Sequence, residues 1–220
     1  LKNKIRFIVQ TRGSIKDLTS LVNLKKAGCE KISLGIESGS EKILNNINKN
    51  LTLKDYYLSC KLIKKAKIKL EVLMIYGQYN ETSEDLKMSR IFLEKVKPDH
   101  AIIQKLGPII GTQAYNELVK NNIIKDCVKA KSISQLEKMM EYNKDALYHD
   151  TTDREYDKEL SILIKKVTKR QDRYILKNVS WPNKLKFLLE KSNIHKFKKS
   201  QINMLSEPLD QIPVFARETI

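Results

Sequence analysis

Apolar residues in the first 125 positions follow two alternating periods. Short runs rich in β-branched and aromatic residues predict strands. They lie at residues 5–11, 31–36, 69–76 and 100–106. Between them, apolar residues recur at the three- and four-residue spacing of amphipathic helices. Strand starts are about thirty residues apart, the length of a strand–helix–strand unit with a right-handed crossover. The pattern therefore predicts an α/β fold with a parallel, helix-covered sheet.

The predicted helices begin at hydroxyl residues followed three positions later by an acid, the spacing of a capping box. Such pairs are Ser14 with Asp17, Thr52 with Asp55, and Thr82 with Asp85. The first helix is expected to end at Gly28, because glycine tolerates the left-handed conformation that closes many helices.

Beyond residue 125 only helical periodicity continues. We expect helices near residues 133–147, 156–167 and 184–191. The predicted division is an α/β part at 1–125, a helical extension at 126–203 and an extended tail at 204–220.

The chain carries 42 basic and 26 acidic residues, a net charge of +16. Such a charge favours contact with polyanions. The lysines are spread along the whole chain, however, so solvated lysine faces are the preferred interpretation and a nucleic-acid partner the open alternative. No uncharged apolar run reaches the length of a membrane span, so no membrane partner is expected.

The three cysteines, Cys29, Cys60 and Cys127, are widely separated and form no metal-binding spacing. We interpret them as structural thiols, expect no metal ligands in this chain, and expect a cytoplasmic location.

The strongest candidate for chemistry is the run from Gly35 to Ser40, Gly-Ile-Glu-Ser-Gly-Ser. It follows a strand, and parallel α/β folds place binding sites at the carboxyl ends of strands. Glu37 and Ser38 would supply acceptors there. The competing interpretation is a helix start, because Ser38 and Glu41 also have capping-box spacing.

Several segments together resemble the second half of a radical S-adenosylmethionine (radical SAM) barrel, closest to the group often joined to a cobalamin-binding domain. They are 24–29 leading into 35–40, 44–49 with Thr52, 76–82, and 108–112. Tyr79, Asn80 and Ile110 depart from the family pattern. The family's three-cysteine cluster motif is absent and is expected upstream of Leu1. The resemblance implies a partial TIM-like (β/α) barrel followed by the helical extension.

The resemblance further implies S-adenosylmethionine (SAM) as cofactor and a 4Fe–4S cluster whose ligands are not in this chain. Cobalamin would belong to a missing N-terminal domain. The intact enzyme would reductively cleave SAM to a 5′-deoxyadenosyl radical, using a reductant for the cluster and an unknown small-molecule or macromolecular substrate. The alternatives are a non-catalytic barrel fragment and a basic nucleic-acid-binding module.

Four residues are predicted to bind SAM; no catalytic residue is assigned. Glu37 would pair with the ammonium group, and Ser38 would bond polar atoms nearby. Arg12 would hold the carboxylate with two parallel hydrogen bonds. Gly77 would let the backbone lie close to the adenine. Glu81 is expected to be an acid at a helix start.

Residues 1–220 expressed alone should not assemble an iron–sulfur cluster, because dispersed cysteines cannot provide three thiolates on one loop. Anaerobic reconstitution should give no cluster absorbance and no reductive cleavage of SAM. Stoichiometric cluster binding by this chain would contradict the prediction.

Overall fold

The computed structural model describes residues 5–107, 109–146, 149 and 152–178. Four strands and seven helices are described, with a 3₁₀ turn at Cys127–Lys129. The strands are β1 (Phe7–Thr11), β2 (Cys29–Glu37), β3 (Lys69–Tyr76) and β4 (His100–Lys105). The helices are α1 (Leu18–Ala27), α2 (Glu41–Asn46), α3 (Leu53–Lys65), α4 (Ser83–Val96), α5 (Gln113–Lys120), α6 (Ile133–Asp145) and α7 (Tyr156–Asn178).

The four strands form one sheet in the order β1-β2-β3-β4, and every neighbouring pair is parallel. This confirms the predicted α/β architecture and strand order. The sheet is open, with β1 and β4 at its edges, as expected for part of a (β/α) barrel. Because the strands run parallel, their carboxyl ends share one edge.

The central strand β2 is buried along nearly its whole length. Its apolar side chains Ile32 and Leu34 pair in register with Leu70 and Val72 of β3. All four are at most 1% exposed and belong to the main hydrophobic core. Because both faces of β2 are covered, apolar and polar residues need not alternate along it, and this explains its apolar run.

The caps mostly follow the sequence prediction. Thr52 and Asp55 form a capping box at α3. Gly28 adopts a left-handed conformation (φ 113°) at the end of α1, where any Cβ would lie 1.9 Å from the Ile5 carbonyl oxygen. The prediction of Ser14 as the first cap is wrong. Asp17 itself caps α1, accepting hydrogen bonds from the amides of Thr19 and Ser20, because its short carboxylate reaches both.

Helix α7 packs beside α4 and runs in the same direction. Glu159 pairs with Arg90 of α4 at 3.3 Å, and Arg170 donates to the carbonyl oxygens of Leu93 and Pro98 at 3.1 Å. Leu163 and Val167 of α7 belong to the main core. Helix α7, which lies within the predicted helical extension, therefore packs with the α/β part.

The described residues up to Tyr174 form one compact unit. The division after residue 125 stays a prediction. The predicted helix at 184–191 and the tail at 204–220 lie outside the described residues. No helix in the described ranges has both the length and the apolar character needed to cross a membrane.

A buried charged cluster lies near the amino-terminal ends of β2, β3 and β4. Glu71 accepts hydrogen bonds from Lys31 (2.7 Å) and Ser33 (2.5 Å) and contacts the Nδ1 atom of His100. The His100 ring stacks on Tyr174 with 4.7 Å between centroids. Burial acts to raise the pKa of Glu71, but these partners outweigh it and lower the pKa to about 2. The cluster is internally satisfied, so we assign it to the stability of the sheet.

Because the pKa of Glu71 is lowered from 4.5, its contribution to stability is present above pH 4.5 and is lost as the pH falls through about 2. The loss should be on the order of 3 kcal/mol. Glu71→Gln should be less stable at pH 7, because Lys31 loses its counter-charge, and should lose less stability between pH 4.5 and 2. Urea unfolding at a series of pH values measures both. If the free energy of unfolding changes equally with pH in the unmodified protein and in Glu71→Gln, the stabilising role of Glu71 is refuted. Glu84→Gln, which removes an exposed carboxylate, is the control variant.

Candidate functional site

A cavity of about 530 Å³ opens at the carboxyl-terminal edge of the sheet. Its size is within the range of small-molecule and cofactor pockets. The lining comes from all four strand ends and from α5. It comprises Arg12, Glu37, Asn46, Ile47, Asn48, Lys49, Ile75, Gln78, Tyr79, Leu106, Gly107, Ile109, Thr112, Gln113, Ala114, Glu117 and Leu118.

Glu37 is the last residue of β2 and points into this cavity from an uncommon backbone conformation. Its φ is +72°, in the left-handed region that non-glycine residues seldom occupy. The pairing of β2 with β3 also shifts register between Gly35 and Glu37. A register shift of this kind changes the direction of a side chain at the end of a strand. Here the carboxylate becomes part of the cavity wall.

Lys49 is the partner of Glu37. Its Nζ atom donates to Glu37 Oε1 and to the carbonyl oxygen of Gly35, both at 2.9 Å. The Lys49 side chain is 4% exposed and the Glu37 side chain 18% exposed. Sequence reasoning did not select Lys49 as a site residue. The available signal was its place twelve residues after Glu37, in the polar segment that follows α2.

Arg12 follows β1 and lies on the same cavity, as predicted from its position at a strand end. It forms no ion pair with any other residue in the described part of the chain. The structure therefore brings together four charged side chains at one cavity: the cations Arg12 and Lys49, and the acids Glu37 and Glu117, of which Glu117 is exposed on α5.

Ser38 points away from the cavity and is fully buried. Its hydroxyl lies 3.4 Å from that of Ser89 in α4 and accepts from the Ser40 amide at 3.1 Å. The amide of Gly39 donates to Ser89 Oγ at 2.9 Å. A Cβ on Gly39 would lie 2.5 Å from the Ser89 Cα, so only glycine permits this close approach. Among the predicted site residues, Ser38 thus supports the site from behind.

The helix-start interpretation of the same run is also partly correct, but with a different cap. Ser40, two residues after Ser38, is the N-cap of α2 and accepts from the Ile43 amide. Its hydroxyl donates to Asp85 Oδ1 at 2.6 Å. One short run therefore ends a strand, supplies Glu37 to the cavity and begins a helix.

Gly77 lies directly behind the cavity wall and does not line it. Its left-handed conformation (φ 75°) turns the chain after β3. Its amide donates to Glu81 Oε2 at 2.7 Å and to the Tyr156 hydroxyl at 3.1 Å. The next residues, Gln78 and Tyr79, form the wall. The contact predicted between Gly77 and a ligand stays a prediction.

Glu81 is completely buried beside this turn. Burial raises its pKa to about 7, although hydrogen bonds from Tyr156 and Gly77 act in the opposite direction. Its Oε1 atom has no hydrogen-bond partner among the described residues. Glu81 therefore holds the loop that precedes α4, in agreement with the expected position near a helix start.

The cysteines do not form a cluster site. Cys29, Cys60 and Cys127 are all buried and free. Burial raises the pKa of Cys60 to about 12 and also raises that of Cys29, which disfavours the thiolate form that ligates metals. Within the described ranges, no group of three or more His, Cys, Asp or Glu side chains is placed to hold a metal ion. These residues do not fit a 4Fe–4S cluster.

Comparison with known protein families matches residues 1–93 to the radical SAM superfamily. This part of the chain belongs to that superfamily. The radical SAM segment contains β1, β2, β3 and most of α4, and with them Arg12, Glu37 and Lys49. The superfamily predicted from short motifs is confirmed for this segment.

Proteins similar to this chain are much longer than the stretch that they match. The tRNA-2-methylthio-N(6)-dimethylallyladenosine synthase of Pelagibacter ubique is 32% identical over 120 residues, covering 52% of this chain and 27% of that protein. The anaerobic magnesium-protoporphyrin IX monomethyl ester cyclase of Cereibacter sphaeroides is 28% identical over 168 residues, covering 68% of this chain and 28% of that protein. The matched stretch thus spans about a quarter of each relative.

One similar solved structure is the radical SAM methyltransferase TsrM of Kitasatospora setae, with cobalamin and a 4Fe–4S cluster bound. It shares 18% identity and a TM-score of 0.49, covering 53% of this chain and 22% of that one.

The raised pKa of Glu81 should make the free energy of unfolding depend on pH. Because the pKa rises from 4.5 to about 7, the contribution of Glu81 is fully present below pH 4.5 and is lost as the pH rises through about 7. The loss should be on the order of 3 kcal/mol. Glu81→Gln cannot ionise, so its stability should change less between pH 5 and 8 in urea unfolding. If both proteins show the same change, Glu81 is not a buried acid with a raised pKa.

Proposed function

We propose that this chain is the SAM-binding back half of a radical SAM enzyme. The observation that carries the proposal is the partly buried pair of Glu37 and Lys49, which lies with Arg12 on one cavity. All three residues belong to the radical SAM segment. These charges match the two charged groups at the amino-acid end of SAM.

The amino-acid end of SAM presents an ammonium and a carboxylate on the same carbon. Glu37 is the anionic partner for the ammonium, and Lys49 and Arg12 are the cationic partners for the carboxylate. Arg12 can form two parallel hydrogen bonds to the carboxylate, which an ammonium group such as that of Lys49 cannot do. Binding would replace the internal pair of Glu37 and Lys49 by pairs with the ligand, so neither charge would be left buried without a partner.

The remaining wall suits the nucleoside end of the cofactor. Ile47, Ile75 and Leu106 supply apolar surface, and the amides of Asn48 and Gln78 supply donors and acceptors. An adenine ring needs both kinds of contact, since it has a flat apolar face and a polar edge. We propose that Ser38 and Gly77 act by supporting Glu37 and Gln78 from behind.

Bound SAM supplies the radical chemistry in this superfamily when an electron reaches its sulfonium group. In this chain the described residues bind, orient and shield the cofactor, and they do not fit the cluster that delivers the electron. The cluster, its reductant and cobalamin therefore remain predictions for other parts of an intact protein.

The names of similar proteins indicate more than one class of substrate. One similar protein is named for a tRNA product and another for a magnesium porphyrin, so relatives of this segment act on very different molecules.

The proposal predicts selective recognition of the amino-acid end of the ligand. The full chain should bind S-adenosylhomocysteine, which has that end, more tightly than adenosine, which lacks it. Glu37→Gln should weaken the binding of S-adenosylhomocysteine by about ten- to hundredfold, because it removes one charge-assisted hydrogen bond. Lys49→Met should also weaken it, and adenosine affinity should stay unchanged in both variants. Isothermal titration calorimetry measures all these affinities.

Glu84→Gln is the matched control, because it removes an exposed carboxylate on α4 that does not line the cavity. Equal affinity of the unmodified chain for both ligands would refute recognition of the amino-acid end. Unchanged binding in Glu37→Gln would show that Glu37 only shapes the end of β2.

A further inference from the structure

Two residues at and just before the start of α7 contact the loop between β3 and α4 and the first residue of α4. We call residues 77–82 the cavity loop, because Gln78 and Tyr79 line the cavity. The contacting side chains are Asp153 and Tyr156, which lie seventy and seventy-nine residues from Ser83 and Gly77 along the chain. Both lie outside the radical SAM segment at 1–93.

Tyr156 holds the first end of the cavity loop. Its hydroxyl donates to Glu81 Oε2 at 2.7 Å and accepts from the Gly77 amide at 3.1 Å. The side chain is 2% exposed, and its ring stacks on the ring of His149 with 3.8 Å between centroids. Gly77 and Glu81 are thus bonded to one another and to the same hydroxyl, which closes the loop into a hydrogen-bonded ring.

Asp153 holds the other end. Its Oδ2 atom accepts from the amide of Ser83, the first residue of α4, at 2.6 Å. Its Oδ1 atom accepts from the Glu155 amide, and its carbonyl oxygen accepts from the Tyr156 amide. A first-turn amide of α4, which has no partner within its own helix, is therefore satisfied from a distant part of the chain.

Helix α7 fixes the position of both residues. It is anchored along α4 by the pair of Glu159 with Arg90 and by the bonds of Arg170 to carbonyl oxygens near the end of α4. The cavity loop has a glycine at one end, and none of residues 77–82 is part of the main hydrophobic core. A segment with these features opens locally unless it is held.

We propose that Asp153 and Tyr156 are positioning residues that hold the cavity loop in its binding shape, so that α7 sets the affinity of the cavity for its ligand. Only the choice of an adenosyl amino acid as that ligand rests on the function proposed above. Neither residue touches the cavity itself. Their effect passes through Gly77, Glu81 and Ser83 to the wall formed by Gln78 and Tyr79.

The test uses the full chain and two independent readouts. Amide hydrogen exchange on peptides covering residues 77–82 reports on the loop without any ligand. Calorimetry with S-adenosylhomocysteine reports on binding. Tyr156→Phe removes one hydroxyl, and exchange of the loop amides should become about three- to tenfold faster, with affinity weakened by a similar factor. Tyr174→Phe removes a hydroxyl at the far end of α7 and should change neither quantity.

A second pair of variants separates positioning from a general loss of folding. Asp153→Ala should accelerate loop exchange and weaken binding, whereas Asp153→Asn should restore both, because asparagine caps helices about as well as aspartate. Thermal melting of each variant shows whether the fold is retained.

The outcomes are distinguishable. Unchanged loop exchange in folded Tyr156→Phe and Asp153→Ala would overturn the proposal, as would faster exchange with unchanged affinity. If the unmodified chain does not bind S-adenosylhomocysteine, the proposed function fails, and the exchange measurements alone then decide whether the two residues hold the loop.

Discussion

A buried carboxylate must be matched by donors, and this requirement organises the structure at three places. Glu71, Glu37 and Glu81 lie on or beside the central strands, and each is satisfied differently. Glu71 has a lysine, a serine and a histidine, so it is fully compensated and its pKa is low. Glu37 is paired with one lysine, Lys49, and lines the cavity. Glu81 has only neutral donors, and its pKa is raised to about 7. The surroundings of each acid, more than its residue type, decide its role.

The position of Glu37 in the sheet is the reason why this acid is proposed to bind the ligand. The pair of Glu71 with Lys31 lies at the amino-terminal ends of the strands, where residues of parallel α/β folds contribute to stability. The pair of Glu37 with Lys49 lies at the carboxyl-terminal ends, on an open cavity, where a ligand with both charges can exchange partners with it. The two lysine–glutamate pairs at opposite ends of the sheet therefore have different roles, one in stability and the other in ligand binding.

The radical SAM segment alone does not account for the shape of the cavity. Gln78 and Tyr79 depend on a loop whose hydrogen bonds extend to Tyr156 and Asp153, in a part of the chain that the family match does not include. Helix α7 also adds Leu163 and Val167 to the main core. A substitution in or just before α7 can thus alter the cavity without any change in residues 1–93.

The sequence by itself determined the strands, their parallel order, most helix caps and the superfamily, because these depend on short-range periodicity and on motifs of a few residues. It also placed Arg12 and Glu37 at strand ends that meet at one cavity. Only the tertiary structure separated Glu37, which lines the cavity, from Ser38, which packs against Ser89 fifty-one residues away. It likewise revealed Lys49 as the partner of Glu37 and Tyr156 as the partner of Gly77, seventy-nine residues away. Local sequence carries no record of which distant side chain satisfies a buried polar group, since that choice is made only when the elements pack together.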